Sequence, residues 1–71
     1  MTFKEFEVLQ KLASAEKKLS QRELARETGF SVGTVNTTVA HLSQQGLLQD
    51  GCITAAGIDA LEPYRVKRIQ Y

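Results

Sequence analysis

The sequence predicts a mainly α domain: a three-helix core, a very short β-hairpin and a short C-terminal helix. Three local signals predict it. Thr2 with Glu5 and Ser20 with Glu23 each fit a capping box, in which a hydroxyl and a carboxylate three residues apart satisfy free amides at a helix start. Gly29 and Gly46 stand where left-handed helix stops are needed. Asp50-Gly51 lies between two short apolar runs, the strongest local sign of a two-residue hairpin.

The first helix starts after Thr2 and runs to about Ala15. Phe3, Phe6, Leu9, Leu12 and Ala13 recur at helical spacing and form its expected apolar stripe. The second starts at Ser20, buries Leu24 and Ala25, and ends at Gly29. Ser31 caps the third, in which Val35, Val39 and Leu42 share a face and Gly46 ends the run. Leu47-Leu48-Gln49 and Cys52-Ile53-Thr54 form the hairpin. Thr54 then caps a helix over Ala55 to Leu61, which Pro63 is expected to end, leaving residues 63–71 as a tail after a domain of residues 1–62. Helix, helix, tight turn, helix, hairpin, helix is the order of a winged helix-turn-helix.

Seventy-one residues, 42% hydrophobic and 24% charged, suit one globular domain rather than a disordered or fibrous chain. Apolar residues never stand more than two together, so a membrane span and the apolar centre of an export signal are both absent from the sequence. A cytoplasmic protein with no membrane partner is expected. The single Cys52 allows no internal disulfide and, with the single His41 eleven positions away, no plausible metal cage. Cys52 is expected as a small core residue and His41 as a polar surface residue. No phosphate-binding loop, paired carboxylates or Ser-His-Asp order suggests an enzyme, and no catalytic, cofactor or metal residues and no small-molecule substrate are expected.

A helix-turn-helix needs a small residue where its helices touch, a glycine where the chain reverses and an apolar anchor on the second helix. Ala25, Gly29 and Val35 supply these, and Leu42-Ser43-Gln44-Gln45-Gly46-Leu47-Leu48 resembles the passage from recognition helix to wing in winged-helix repressors. Over residues 1–62 the chain resembles the MarR-type winged-helix domains of bacterial regulators. A shorter segment, Ala60-Leu61-Glu62-Pro63-Tyr64-Arg65-Val66-Lys67-Arg68, resembles the junction between a winged helix and a nucleotidyltransferase domain in bacterial fusion proteins.

The MarR resemblance implies double-stranded DNA as partner, with the third helix in the major groove. Stepping ~100° per residue from an inward Val35 turns Gly33, Thr37, Ala40 and Gln44 outward, with Thr34, Asn36 and His41 on the flanks. Base contacts are expected from Ser31, Gly33, Thr34, Asn36, Thr37 and His41. Thr34, Asn36, Thr37 and Thr38 also sacrifice helix propensity, which a merely solvated face has no need to do. Charge complicates this expectation, because net charge is only +1 and no Lys or Arg lies between Glu27 and Tyr64. Backbone contacts then fall to Lys17, Lys18, Arg22 and Arg26, with Arg65, Lys67 and Arg68 of the tail as further candidates. The alternatives are a solvated turn for the two lysines and pairing with Glu16, Glu23 or Glu27 for the arginines. Asp50 at the hairpin tip would be repelled by phosphate. The competing function is a protein-interaction or accessory module, and a homodimer through Phe3, Phe6 and Val8 or through Tyr64, Val66, Ile69 and Tyr71 is compatible with the sequence.

Overall fold

The computed structural model describes residues 1–66. Its elements are α1 (Phe3–Ser14), α2 (Gln21–Thr28), α3 (Val32–Gln44), β1 (Leu48–Gln49), β2 (Cys52–Ile53) and α4 (Ala55–Val66). This is a mainly helical winged helix, as the sequence predicts.

Both capping boxes form. The Glu5 amide donates to Thr2 Oγ1 at 3.1 Å while Thr2 N–H donates to Glu5 Oε1 at 3.0 Å. In α2 the Glu23 amide donates to Ser20 Oγ at 3.1 Å and Ser20 N–H to Glu23 Oε1 at 2.9 Å. Gly29 closes α2 at φ 82°, its amide bonded to the Ala25 carbonyl at 2.8 Å. Thr28 stiffens the corner: its hydroxyl donates to the Leu24 carbonyl at 2.7 Å and accepts from the Phe30 amide at 3.2 Å. At the end of α3, Gly46 at φ 78° lets the Leu47 amide reach back to the Leu42 carbonyl at 3.0 Å, a Schellman stop.

The three helices pack pairwise, and α4 closes the base of the bundle against α1 and β2. Val8, Leu9, Leu12, Leu24, Val35, Leu42, Leu48 and Leu61 form one buried cluster fed by every helix and by β1. Burying each such side chain stabilises the fold by roughly 1.5–3 kcal/mol. The wing pairs Leu48 with Ile53 and Gln49 with Cys52, antiparallel, about a turn in which Asp50 (φ 52°) and Gly51 (φ 80°) are both left-handed. Two left-handed central residues make a turn whose twist matches the strands, which is what Asp-Gly encodes. Thr54 then ties the wing to the helices. Its amide donates to the Leu47 carbonyl at 3.0 Å, its hydroxyl to the Gly46 carbonyl at 2.7 Å, and the same oxygen accepts from the Gly57 amide at 3.1 Å to cap α4.

Five sequence expectations are corrected. Phe3, expected in the core, is 69% exposed, and Val8, expected on an open pairing surface, is fully buried. The buried stripe of α1 is Glu5, Val8, Leu9 and Leu12, and Phe3 lies two residues before Glu5, about 160° around the helix. Thr38, counted with Thr34, Asn36 and Thr37 as giving up helix propensity for a contact face, is instead buried between the Val35 and Leu42 rows, with its hydroxyl satisfied by the Thr34 carbonyl at 2.8 Å. Cys52, expected inside, is exposed, because the Leu48–Ile53 pair takes the inner face of the wing and alternation turns Gln49 and Cys52 outward. Finally, α4 continues through Pro63 to Val66. Proline costs the helix the bond to the carbonyl of Asp59, and since Asp59 and Pro63 are both exposed, water can replace it there. The expectations for Lys67, Arg68, Ile69 and Tyr71 lie outside the described residues.

Candidate nucleic-acid interface

The candidate surface is the outer side of α3. Gly33, Asn36, Thr37, Ala40 and Gln44 are exposed on it, Thr34 is half-buried at its edge, and Val35 is fully buried on the opposite side. The helix is thus oriented as the sequence pattern requires. Ser31, Gly33, Thr34 and Thr37 come together around a shallow depression whose far wall is Lys4 of α1 and whose floor includes Thr38.

Several of these side chains are already engaged. Ser31 caps α3, accepting from the Thr34 amide at 3.1 Å and donating its hydroxyl hydrogen to Thr34 Oγ1 at 3.0 Å. The Thr37 hydroxyl donates to the Gly33 carbonyl at 3.1 Å. That bond occupies the hydroxyl hydrogen of an otherwise exposed side chain. Asn36 is exposed on the other flank from Thr34 and His41. His41 is solvent-exposed but leans toward α1, its Nδ1 3.8 Å from Glu5 Oε2.

The four expected backbone cations separate. Lys17 bridges to Glu23 at 3.3 Å across the start of α2. Lys18 lies over the wing: a methyl group added at Gly51 would fall 2.7 Å from its Cε, so the missing side chain of Gly51 is what makes room for the lysine stem. Lys18 also shares a groove with Leu24, Val39 and Asp50. The wing therefore has a cation beside its acidic tip, contributed by the loop between α1 and α2. Arg22 and Arg26 stand on the outer side of α2, turned away from Leu24, and the alternative pairing with Glu16, Glu23 or Glu27 does not form among the described residues. Sequence reasoning missed Lys4, since only packing of α1 across α3 reveals that residue 4 adjoins residues 31–38.

The Glu23 carboxyl is held below its ordinary pKa, chiefly by the Ser20 amide that donates to it and further by Lys17. Among the described residues no group of three or more His, Cys, Asp or Glu could hold a metal ion, and no helix is long and apolar enough to cross a membrane.

A sequence profile of the MarR family matches residues 1–51, from the start of α1 through the wing turn. No curated protein and no solved structure matches the chain significantly. With the profile covering well over half of the residues, and the three-helix core and wing in place, the chain belongs to the MarR family and carries its DNA-binding, transcription-regulator type of winged helix.

Proposed function

We propose that this domain binds duplex DNA as part of a bacterial, cytoplasmic transcriptional regulator, with α3 lying in the major groove. The carrying observation is the outer face of α3, exposed, uncharged and narrow at Gly33, Asn36, Thr37 and Ala40 while Val35 anchors the opposite side. Gly33 and Ala40 let the helix approach closely, the Thr37 methyl suits a thymine methyl, and Asn36 suits the paired donor and acceptor of adenine. Ser31 sets the helix start, and Thr34 and His41 border the contact. Lys18 at the wing, with Lys17, Arg22 and Arg26 behind it, supplies phosphate contacts that position the helix without reading sequence.

Fluorescence anisotropy with a short random duplex tests this proposal. Binding at low salt that weakens steeply as salt rises supports it, because released counterions scale with phosphates neutralised. No binding at low salt and high protein concentration overturns it.

A second reading is an accessory or protein-interaction module, including the front part of a nucleotidyltransferase-type protein, with residues 1–62 as the domain and 63–71, which begin in the last turn of α4, as the connection. One observation favours it. The exposed Phe3 ring meets Phe30 edge-on at 6.4 Å, with exposed Met1 and Val32 near in sequence, so the molecule offers apolar surface. The same surface suits a homodimer, which would read two half-sites.

A further inference from the structure

We infer that Lys4 is a DNA phosphate-binding residue, supplying from α1 the positive charge that α3 itself lacks; this rests on the DNA-binding reading above. Residues 28–63 contain no Lys or Arg, so neither α3 nor the wing has a cation of its own. Lys4 lines the same depression as Ser31, Gly33, Thr34 and Thr37, which puts a lysine beside the exposed edge of α3. It forms no ion pair among the described residues. Nor does its position serve its own helix, because the first turn of α1 disfavours a cation.

Each side of α3 meets a lysine carried by another element, and on the wing side Asp50 stands beside it. Thr34, Thr38 and His41 lie on the side toward the start of α1, where Lys4 and Glu5 are. Val39 lies on the other side, in the groove it shares with Lys18 and the wing turn. One lysine thus stands on each side of α3, both borrowed from outside the helix-turn-helix. A helix in the major groove has a phosphate backbone on either side of it, and a lysine on each flank is the charge complement of that arrangement. The carboxylate of Glu5 does not compete for Lys4, since its oxygens are directed at the Thr2 amide and at His41.

The test compares the salt dependence of random-duplex binding for the unmodified chain, Lys4→Gln and Lys11→Gln. Lys11 removes the same charge from the same helix, but at its other end, among Ser14, Glu16, Lys17 and Glu27. Lys4→Gln is expected to weaken binding severalfold at low salt and to make the slope of log K against log salt shallower by about 0.9, the loss of one phosphate contact. Lys11→Gln is expected to match the unmodified chain. Equal slopes for Lys4→Gln and the unmodified chain overturn the inference while leaving DNA binding intact, and equal losses in both variants overturn it in favour of net charge. If the unmodified chain fails to bind, the DNA-binding reading falls and the inference falls with it. A melting temperature for Lys4→Gln no lower than that of the unmodified chain shows that any loss is not unfolding.

Discussion

Oε2 of Glu5 lies 3.8 Å from Nδ1 of His41, joining the first turn of α1 to the last turn of α3. The other carboxylate oxygen closes the capping box with the Thr2 amide, and the residue is only 8% exposed. Glu5 thus does two structural tasks, and His41 one at most. Glu5→Ala is expected to cost about 1 kcal/mol through the lost cap, and His41→Ala less than about 0.5 kcal/mol. Urea denaturation of both variants checks this, and equal losses would contradict it.

Three glycines separate backbone strain from crowding. Gly29 has φ 82° and open space around it, so Gly29→Ala is expected to cost about 1–2 kcal/mol from the left-handed conformation alone. At Gly51 the added methyl also meets the Lys18 stem, but a lysine end can move away. Gly57 is the severe case: it is buried in α4, and a methyl there would strike the Leu47 carbonyl oxygen and the Ile53 side chain. Gly57→Ala is expected to be the most destabilising of the three, about 2–3 kcal/mol. Denaturation midpoints give the ranking.

Acid should weaken the start of α2. Glu23 has its folded-state pKa depressed by the Ser20 amide and Lys17, so its contribution is present above the unfolded glutamate value and is lost as pH falls through the folded one. The stability gap between the unmodified chain and Glu23→Gln is therefore expected to be widest near neutral pH and to close below the ordinary glutamate range. Urea midpoints measured across that range test it, and a gap independent of pH would contradict it.

Adjacent threonines on α3 should behave in opposite ways. Thr37 is exposed on the proposed contact face, whereas Thr38 is 7% exposed and packed inward. Thr37→Asp places a carboxylate against phosphate and is expected to weaken duplex binding more than tenfold with little change in melting temperature. Thr38→Val keeps the shape, and is expected to leave binding unchanged. The reverse pattern in paired anisotropy and thermal melts would show that the contact face is assigned to the wrong side of α3.

Local chemistry was the legible part of this sequence. Thr2, Ser20 and Ser31 cap the helices they precede, Gly29 and Gly46 stop the helices they follow, and Asp50-Gly51 makes the wing turn, because each depends on residues a few positions away. The inward side of α3 was legible for the same reason. Less legible was whatever depended on neighbours distant in sequence. Phe3 left the core stripe and Val8 left the candidate pairing surface because the direction from which α2 and α3 approach α1 decides which apolar side chains are covered. Nothing local to Gly57 marks it as special, since what makes it so is the Leu47 carbonyl and Ile53 side chain packed against it. The cations beside α3 were equally hidden, since Lys4 and Lys18 reach that helix only through tertiary packing.

The most direct test of the account is an NMR titration of the chain with a short duplex, following every backbone amide. The expected result is shifts concentrated at Gly33, Thr34, Asn36 and Thr37, with further changes at Lys4 and Lys18. Shifts confined to Met1, Phe3, Phe30 and Ile58, with α3 unmoved, would contradict recognition by α3.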